Sequence, residues 1–528
     1  MRNMPKLGGF SKLNSDDIGT LLVIASILFG GLFRIFPAFL AGFPVNDGGM
    51  FYVMIKDLQA NHYLLPLYTS YNNLNIPFAY PPLAFYIGAG LSDILHISPI
   101  EIVRWLPGIV NIFCVPTFYF LAKEITGNKL TSAAAAFIYA LIPHMSEWPS
   151  MGGGLTRSLG MLFMTFTALY AHRLFTQDNR ANLWKTILFG SLTVLSHPES
   201  ILYALGICVY IWVTKSRTLK GLIDGVWVSM GVLLITSPWY GLVIKNHGIQ
   251  TLIAATQTGR HSIWSPFILI NMDGITAEPY LDLLGAICIL GVMLLIIRRQ
   301  YIIPGMLILI YLIEPRSAHT IGNISLAMAG GFFITEALLP ALAQTGNKPE
   351  KRSAIILFIV TMPYLLINST YQGFLISQNH VAETERTAMQ WVMDNTPANS
   401  LFLALTGDAD AMCDSTSEWF PALTQRTSLT TLQGREWLLG NKFDEFTNQR
   451  GNIQQCINED LSCVNQQIEY FTTNLDYIYI SNKATTSKCA PLDATSRKTR
   501  DIVTSLKASS EYTLVYDAKD IFIFKRNK

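Results

Sequence analysis

The stretch IGTLLVIASILFGGLFRIFPAFLAGFPVNDGGMFYV, residues 18–53, decides the fold class. Its first part, 18–40, is apolar over enough residues to cross a bilayer core at about 1.5 Å of rise per residue, and it outlasts the h-region of a secretory signal. No clear small-x-small cleavage pattern follows, so it reads as a retained anchor. Directly after it, Asn46, Asp47, Gly48 and Gly49 place one carboxylate on a turn that the glycines leave free to bend sharply. In DGGMFYVMIKDLQANHY, Met50, Phe51, Met54, Ile55 and Leu58 then share one helical face, with Lys56, Asp57 and Gln59 elsewhere, the pattern of a helix lying in the membrane interface.

The rest of the chain agrees. Of 528 residues, 50% are hydrophobic and 14% charged, where a soluble domain carries about a quarter charged. Further apolar runs near 101–122, 130–146, 155–172, 184–200, 201–214, 221–244, 281–297, 300–313, 320–341 and 353–372 bring the expectation to about eleven membrane helices. Segment 81–97 opens with Pro81 and Pro82 and carries Asp93 and His96, so it reads as a second interfacial piece, with Tyr80 and Phe85 near the headgroups. With that assignment sixteen lysines and arginines fall inside and seven, Arg34 among them, fall outside; letting 81–97 span would invert the bias. The N-terminus is therefore expected in the cytoplasm. A net charge of +2 with scattered basic residues excludes a nucleic-acid partner.

After about residue 373 the composition becomes that of soluble sequence. TERTAMQWVMDNTP reads as a helix ended by Pro397, and SLFLAL, LDYIYIS, YTLVYD and IFIFKR read as strands. The expected architecture is thus a polytopic α-helical membrane domain over 1–372, with interfacial helices in its first outer loop, and an extracytoplasmic α/β domain over 373–528. Cys413, Cys456, Cys463 and Cys489 lie in this tail, where an oxidising compartment allows two disulfides in three pairings or leaves free thiols. No Cys-x-x-Cys pair suggests zinc.

On this topology Asp47, Asp57, Arg104, Glu147, Arg157, His197, Glu199, Glu278, Asp282, Glu314, Arg316 and His319 gather at the outer face. A transporter keeps its rare charges near the midplane, so this arrangement argues against one.

Asn46-Asp47 in the first outer loop, Tyr80-Pro81-Pro82-Leu83, Arg104 in VRWLPG, the loop PHMSEWPSMGGGLTRS and the late EPRSAHT together resemble the GT-C membrane glycosyltransferases. That superfamily includes protein O-mannosyltransferases, the lipid A aminoarabinose transferase and the catalytic subunit of oligosaccharyltransferase. The resemblance covers roughly the first 370 residues in arrangement. It implies a donor sugar on a polyprenyl phosphate or diphosphate, an acceptor that is a lipid, a glycan or a protein, and an acid of the first loop at the active site. Carried over residue by residue, it makes Asp47 the acid, Arg104 a stabilising cation, Arg316 a donor-phosphate contact and His319 a looser companion. Many relatives carry a second acid where Gly48 and Gly49 stand here, so a Mg2+ or Mn2+ ion would need Glu147 beside Asp47, with His197 and Glu199 of SHPES as further acceptor-site or metal-site candidates. Where the oligosaccharyltransferase branch carries a Trp-Trp-Asp-x-Gly run, this chain reads STSEWFPALTQRTSL, and Ile275-Thr276-Ala277-Glu278 only imperfectly echoes its Thr-Ile-x-Glu motif. Recognition of a peptide sequon is not assigned.

The chemistry suits those residue types on its own terms. A sugar leaving as its lipid phosphate develops charge that a planar arginine fork binds, and an incoming hydroxyl needs a carboxylate to take its proton. Plainer roles fit the same residues: Asp47 as a helix cap, Arg104 and Arg157 as snorkelling anchors, GGGLTRS as an ordinary loop or as a phosphate-binding helix start. Two functional classes follow, a glycosyltransferase at the outer face or a non-catalytic protein of the same architecture that binds glycans or partner subunits through its tail.

Overall fold

The computed structural model describes residues 14–177, 179–256, 283–344, 350–472, 474–482 and 499–527. Glu278, Asp282, Cys489 and the 275–278 echo lie outside the described residues. The first half runs α1 (Ser15–Ala41), α2 (Gly49–Ala60), α3 (Leu83–Leu95), α4 (Pro99–Thr126), α5 (Lys129–Leu141), α6 (Pro143–Ser150), α7 (Gly154–Thr176), α8 (Ala181–Val194), α9 (Pro198–Lys215) and α10 (Leu219–His247).

α1 starts where Asn14 and Asp17 exchange side-chain bonds to each other's backbone N–H, and it stops at Gly42, whose φ of 63° ends a helix at no steric cost. Four helices among the described residues are long and apolar enough to cross a membrane: α1, α4, α10 and Ser317–Leu342. Leu283–Ile297 and Ile302–Ile313 qualify only together and are bent by 118°. Several other apolar runs fold into shorter pieces. α5 has 13 residues, roughly 20 Å of helix against a hydrocarbon core of about 30 Å. On α10, Leu222, Val226, Met230, Leu233 and Leu234 are exposed, the apolar band a bilayer would cover.

Arg34 lies in the C-terminal half of α1. It is fully buried; its Nε donates to Asn111 Oδ1 at 3.2 Å and its Nη1 to the carbonyls of Gly30 and Ala140 at 2.9 and 2.7 Å. Carbonyl acceptors satisfy the guanidinium out of water, so it ties α1 to α4 and α5.

The tail builds a five-stranded sheet. Besides the two-residue strands β1 (Tyr68–Thr69) and β2 (Ile76–Pro77), the strands are β3 (Leu401–Leu405), β4 (Thr427–Ser428), β5 (Tyr477–Ser481), β6 (Tyr512–Ala518) and β7 (Ile521–Arg526). Their order is β4-β3-β5-β7-β6, with β3 parallel to β4 and β5, and β7 antiparallel to β5 and β6. Alternation with period two decides the layers. Phe402, Ala404, Tyr477, Tyr479, Ile521 and Ile523 face a core that also holds Met54, Ile55, Phe85, Val103 and Leu155. Leu403, Leu405, Ile478, Ile480 and Phe524 face a second core with Ile453, Val464 and Leu506. Cys456 and Cys463 are joined on that second side, Cα atoms 5.5 Å apart, and Cys413 is disulfide-bonded as well.

One face of the sheet therefore shares its interior with the loop that follows α1. The expected apolar face of α2 exists, with Met50, Phe51, Met54, Ile55 and Leu58 all buried. It rests against protein, however: Trp419 of the helix Ser415–Thr424 meets Phe43 and Tyr52 at ring distances of 4.8 and 5.9 Å, and Phe51 meets Phe85 at 5.3 Å. An amphipathic helix needs an apolar surface, and a folded tail provides one as well as lipid does.

Candidate active site around Asp47

Asp47 sits on a turn that the sequence makes left-handed, with φ of 56° at Asn46 and 115° at Gly48. Its Oδ1 accepts from the Gly153 N–H at 2.7 Å, and its Oδ2 lies 2.9 Å from Arg157 Nη1. Backbone supports the same approach, since Gly152 N–H donates to the Val45 carbonyl at 2.9 Å. A Cβ on Gly152 would overlap the Asp47 carbonyl oxygen, and one on Gly153 would overlap the Asp47 carboxylate. The three-glycine run is thus a slot for the acid. Where a phosphate was one reading for the start of α7, a carboxylate of the chain's own sits there, favoured by the positive helix end. The Arg157 guanidinium also lies over the Trp148 ring at 5.2 Å. The side chains of Asp47 and Arg157 remain 15% and 27% exposed, so solvent reaches the pair.

A second polar chain adjoins it. Tyr80 Oη is 2.9 Å from His197 Nδ1 and 3.3 Å from Thr156 Oγ1, one residue from Arg157. His197 Nε2 is 3.7 Å from Glu199 Oε2, which accepts from Ser317 Oγ. Burial pushes the Tyr80 phenol up to about 12, so it stays protonated. His319 lies on the helix Pro315–Ile321, its carbonyl accepting from Asn323 Nδ2 at 2.9 Å. Arg316 is on the same helix, its side chain outside the described residues. Glu147 pairs with His144 at 2.6 Å and precedes Trp148. Arg104 is turned to the end of α1: its Nε donates to the Ala38 carbonyl at 3.1 Å, its Nη1 meets Glu101 at 3.3 Å, and it stacks on Trp105. Arg157 is the guanidinium that meets Asp47.

The sequence reading missed two members. Arg157 was legible only as an anchor, although the three glycines before it signal a close backbone approach. Glu418, buried in the tail helix Ser415–Thr424, accepts at Oε1 from the N–H groups of Gly48 and Gly49, 2.8 and 3.2 Å away, and at Oε2 from Gln433 Nε2 at 2.7 Å. Burial raises its pKa well above the carboxylate range, helped by the charge of Asp47 and opposed by the Gly48 amide and Arg157. A raised folded-state pKa means that the fold favours the protonated acid. Glu418's contribution is fully present below the ordinary carboxylate range and is lost as pH rises through the raised value. In thermal melts of detergent-solubilised protein, Tm is expected to fall with pH across that window, and Glu418→Gln to flatten the slope. Parallel slopes for the two proteins would remove Glu418 from the account.

These carboxylates do not suit a divalent cation. Asp47 already faces a guanidinium, both Glu418 oxygens accept N–H bonds, and Glu147 is engaged by His144. Among the described residues no group of three histidines, cysteines, aspartates or glutamates is placed to ligate an ion.

The chain resembles known proteins at two levels. Residues 79–241, which carry Tyr80, Arg157, His197 and Glu199 but not Asp47, match the dolichyl-phosphate-mannose-protein mannosyltransferase family. No curated protein matches the chain. Among solved structures, the archaeal oligosaccharyltransferase AglB from Archaeoglobus fulgidus, in complex with an inhibitory peptide and a dolichol-phosphate, is 11% identical with a TM-score of 0.53, over 97% of this chain and 74% of that one. ArnT from Cupriavidus metallidurans bound to undecaprenyl phosphate is 11% identical with a TM-score of 0.55, over 96% and 97%. The mycobacterial arabinofuranosyltransferase AftD is 14% identical with a TM-score of 0.54, over 98% of this chain but 40% of its own. Another structure of the Archaeoglobus fulgidus oligosaccharyltransferase is a complex with Zn and sulfate. Residues 79–241 thus resemble a mannosyltransferase family, and the chain as a whole has the fold of these GT-C membrane glycosyltransferases.

Proposed function

We propose that the protein transfers a sugar, with inversion, from a polyprenyl-phosphate-linked donor to an acceptor at the outer membrane face. The observation that carries this reading is the partly exposed ion pair of Asp47 with Arg157, 2.9 Å apart, beside the Tyr80–His197–Glu199 chain. In the step proposed, the acceptor hydroxyl oxygen attacks the anomeric carbon, the bond from that carbon to the phosphate oxygen breaks, and its electron pair leaves with the lipid phosphate. The hydroxyl proton passes to Asp47. A carboxylate offers about four lone-pair sites, and the Gly153 N–H and Arg157 take two of them, which leaves room for the acceptor. We assign the stabilisation of developing phosphate charge to Arg157, with Arg316 and His319 on the donor side. Arg104 holds the outer end of α1. The N-terminus lies in the cytoplasm and the tail outside, which the Cys456–Cys463 disulfide supports.

The acceptor class is a lipid, a glycan or a protein. Membranes containing the protein, incubated with a panel of radiolabelled polyprenyl-phosphate sugars, are expected to move label from one donor into an acceptor fraction. A panel in which no donor loses label more than control membranes would end the reading. A non-catalytic role, with the tail holding a glycan or a partner subunit, is favoured by one observation, that both Asp47 oxygens already have partners. It predicts binding without turnover in the same assay.

A further inference from the structure

We propose that Glu418 is a positioning residue for Asp47, the means by which the tail fixes the first-loop turn in its working geometry. The inference rests on the proposed role of Asp47. α2 begins after Gly48, which has no side chain to cap the helix, so the N–H groups of its first turn need acceptors from elsewhere. Glu418, 370 positions away, provides one oxygen to both Gly48 and Gly49. The Gly48 N–H belongs to the peptide plane that follows Asp47. Holding that N–H constrains the ψ angle of Asp47 and with it the Cα–Cβ bond from which the carboxylate projects.

Close contact on this side is specified by more than one bond. Tyr71 Oη donates to the Glu418 carbonyl at 2.6 Å, and Trp419 Nε1 donates to the Asn46 carbonyl at 3.0 Å. Asn46 Nδ2 donates to the Met412 carbonyl at 3.0 Å. A Cβ on Gly49 would come within 2.9 Å of the Glu418 carbonyl oxygen. Gly152, Gly153 and Arg157 press from the other side, so the turn is gripped between α7 and the tail. A serine or asparagine cap on the helix itself would serve stability alone; a buried side-chain oxygen from the tail, bonded to two consecutive amides, instead defines one orientation of the peptide.

The test uses the full-length protein in detergent or nanodiscs, with amide hydrogen exchange over residues 45–55 and transfer kinetics from a labelled polyprenyl-phosphate sugar. Glu418→Ala is expected to speed exchange at Gly48 and Gly49 roughly tenfold and to lower kcat roughly tenfold, the donor KM staying put, as a small misplacement of a reacting group does. Glu418→Gln keeps an acceptor oxygen and is expected to restore both. Gly49→Ala, whose Cβ would press on the backbone carbonyl oxygen of Glu418 and force the two segments apart, is expected to act in the same direction, and it serves if Glu418→Ala does not fold. Wild-type exchange and kcat in Glu418→Ala or Gly49→Ala overturn the inference, as does a loss of folded protein in both Glu418 variants with no split between kcat and KM. Faster exchange in a protein whose wild type transfers no sugar leaves the grip standing and removes the transfer reading, and the positioning role with it.

Discussion

Asp47→Asn is expected to reduce sugar transfer by about 10³-fold while the protein stays folded, because general-base catalysis contributes about 10²–10⁴-fold. The amide oxygen of the replacement side chain would still accept from the Gly153 N–H, so the turn keeps one of its two side-chain partners. Arg157, no longer neutralised, remains available to phosphate, and donor binding is expected to weaken little or not at all. The measurement is a pair of single-turnover and donor-binding assays on membranes with matched protein levels. Transfer within a factor of about three of wild type would show that Asp47 takes no proton in the reaction, and would favour the binding-protein reading.

Gly152→Ala is the second large effect. Its Cβ would overlap the Asp47 carbonyl oxygen and come within 3.3 Å of Gly48 Cα. Backbone meets backbone there, so no rotamer relieves the clash and α7 must back away from the first loop. The expected cost is about 1–3 kcal/mol of stability and about 100-fold in transfer, the penalty for moving a reacting group by about 1 Å. Gly225→Ala, on the exposed stretch of α10 with open space around it, is the control and is expected to change neither. A melting curve and a rate indistinguishable from wild type in Gly152→Ala would mean that the slot is wider than these contacts allow.

What the sequence made legible was whatever local periodicity encodes. The short apolar runs LFLAL and YIYIS read as strands, and the i, i+3, i+4 spacing after Gly49 picked out the buried face of α2. Periodicity marks a face but not what covers it, so the covering of α2 by Trp419 was out of reach. Asp47 was legible because an acid between an asparagine and two glycines is unusual beside a span. Its partners were not, since Gly153 is 106 positions away and Glu418 acts on residues 370 and 369 positions away. Arg104 and Arg157 look alike as arginines in the first turns of apolar helices; only packing shows that one turns toward Glu101 and Ala38, the other toward Asp47. Spans counted from apolar runs also overstate length, because Pro143 and the loops beside α5 cut a run that composition alone would extend.

Ile521 and Ile523 of β7 lie in the same apolar interior as Met54 and Phe85 near the start of the chain. A ribosome delivers these two regions far apart in time, so the interior they share stays incomplete until β7 has paired. A product cut short before Trp419 would leave the apolar face of α2 without its cover, an apolar flag for quality-control proteases.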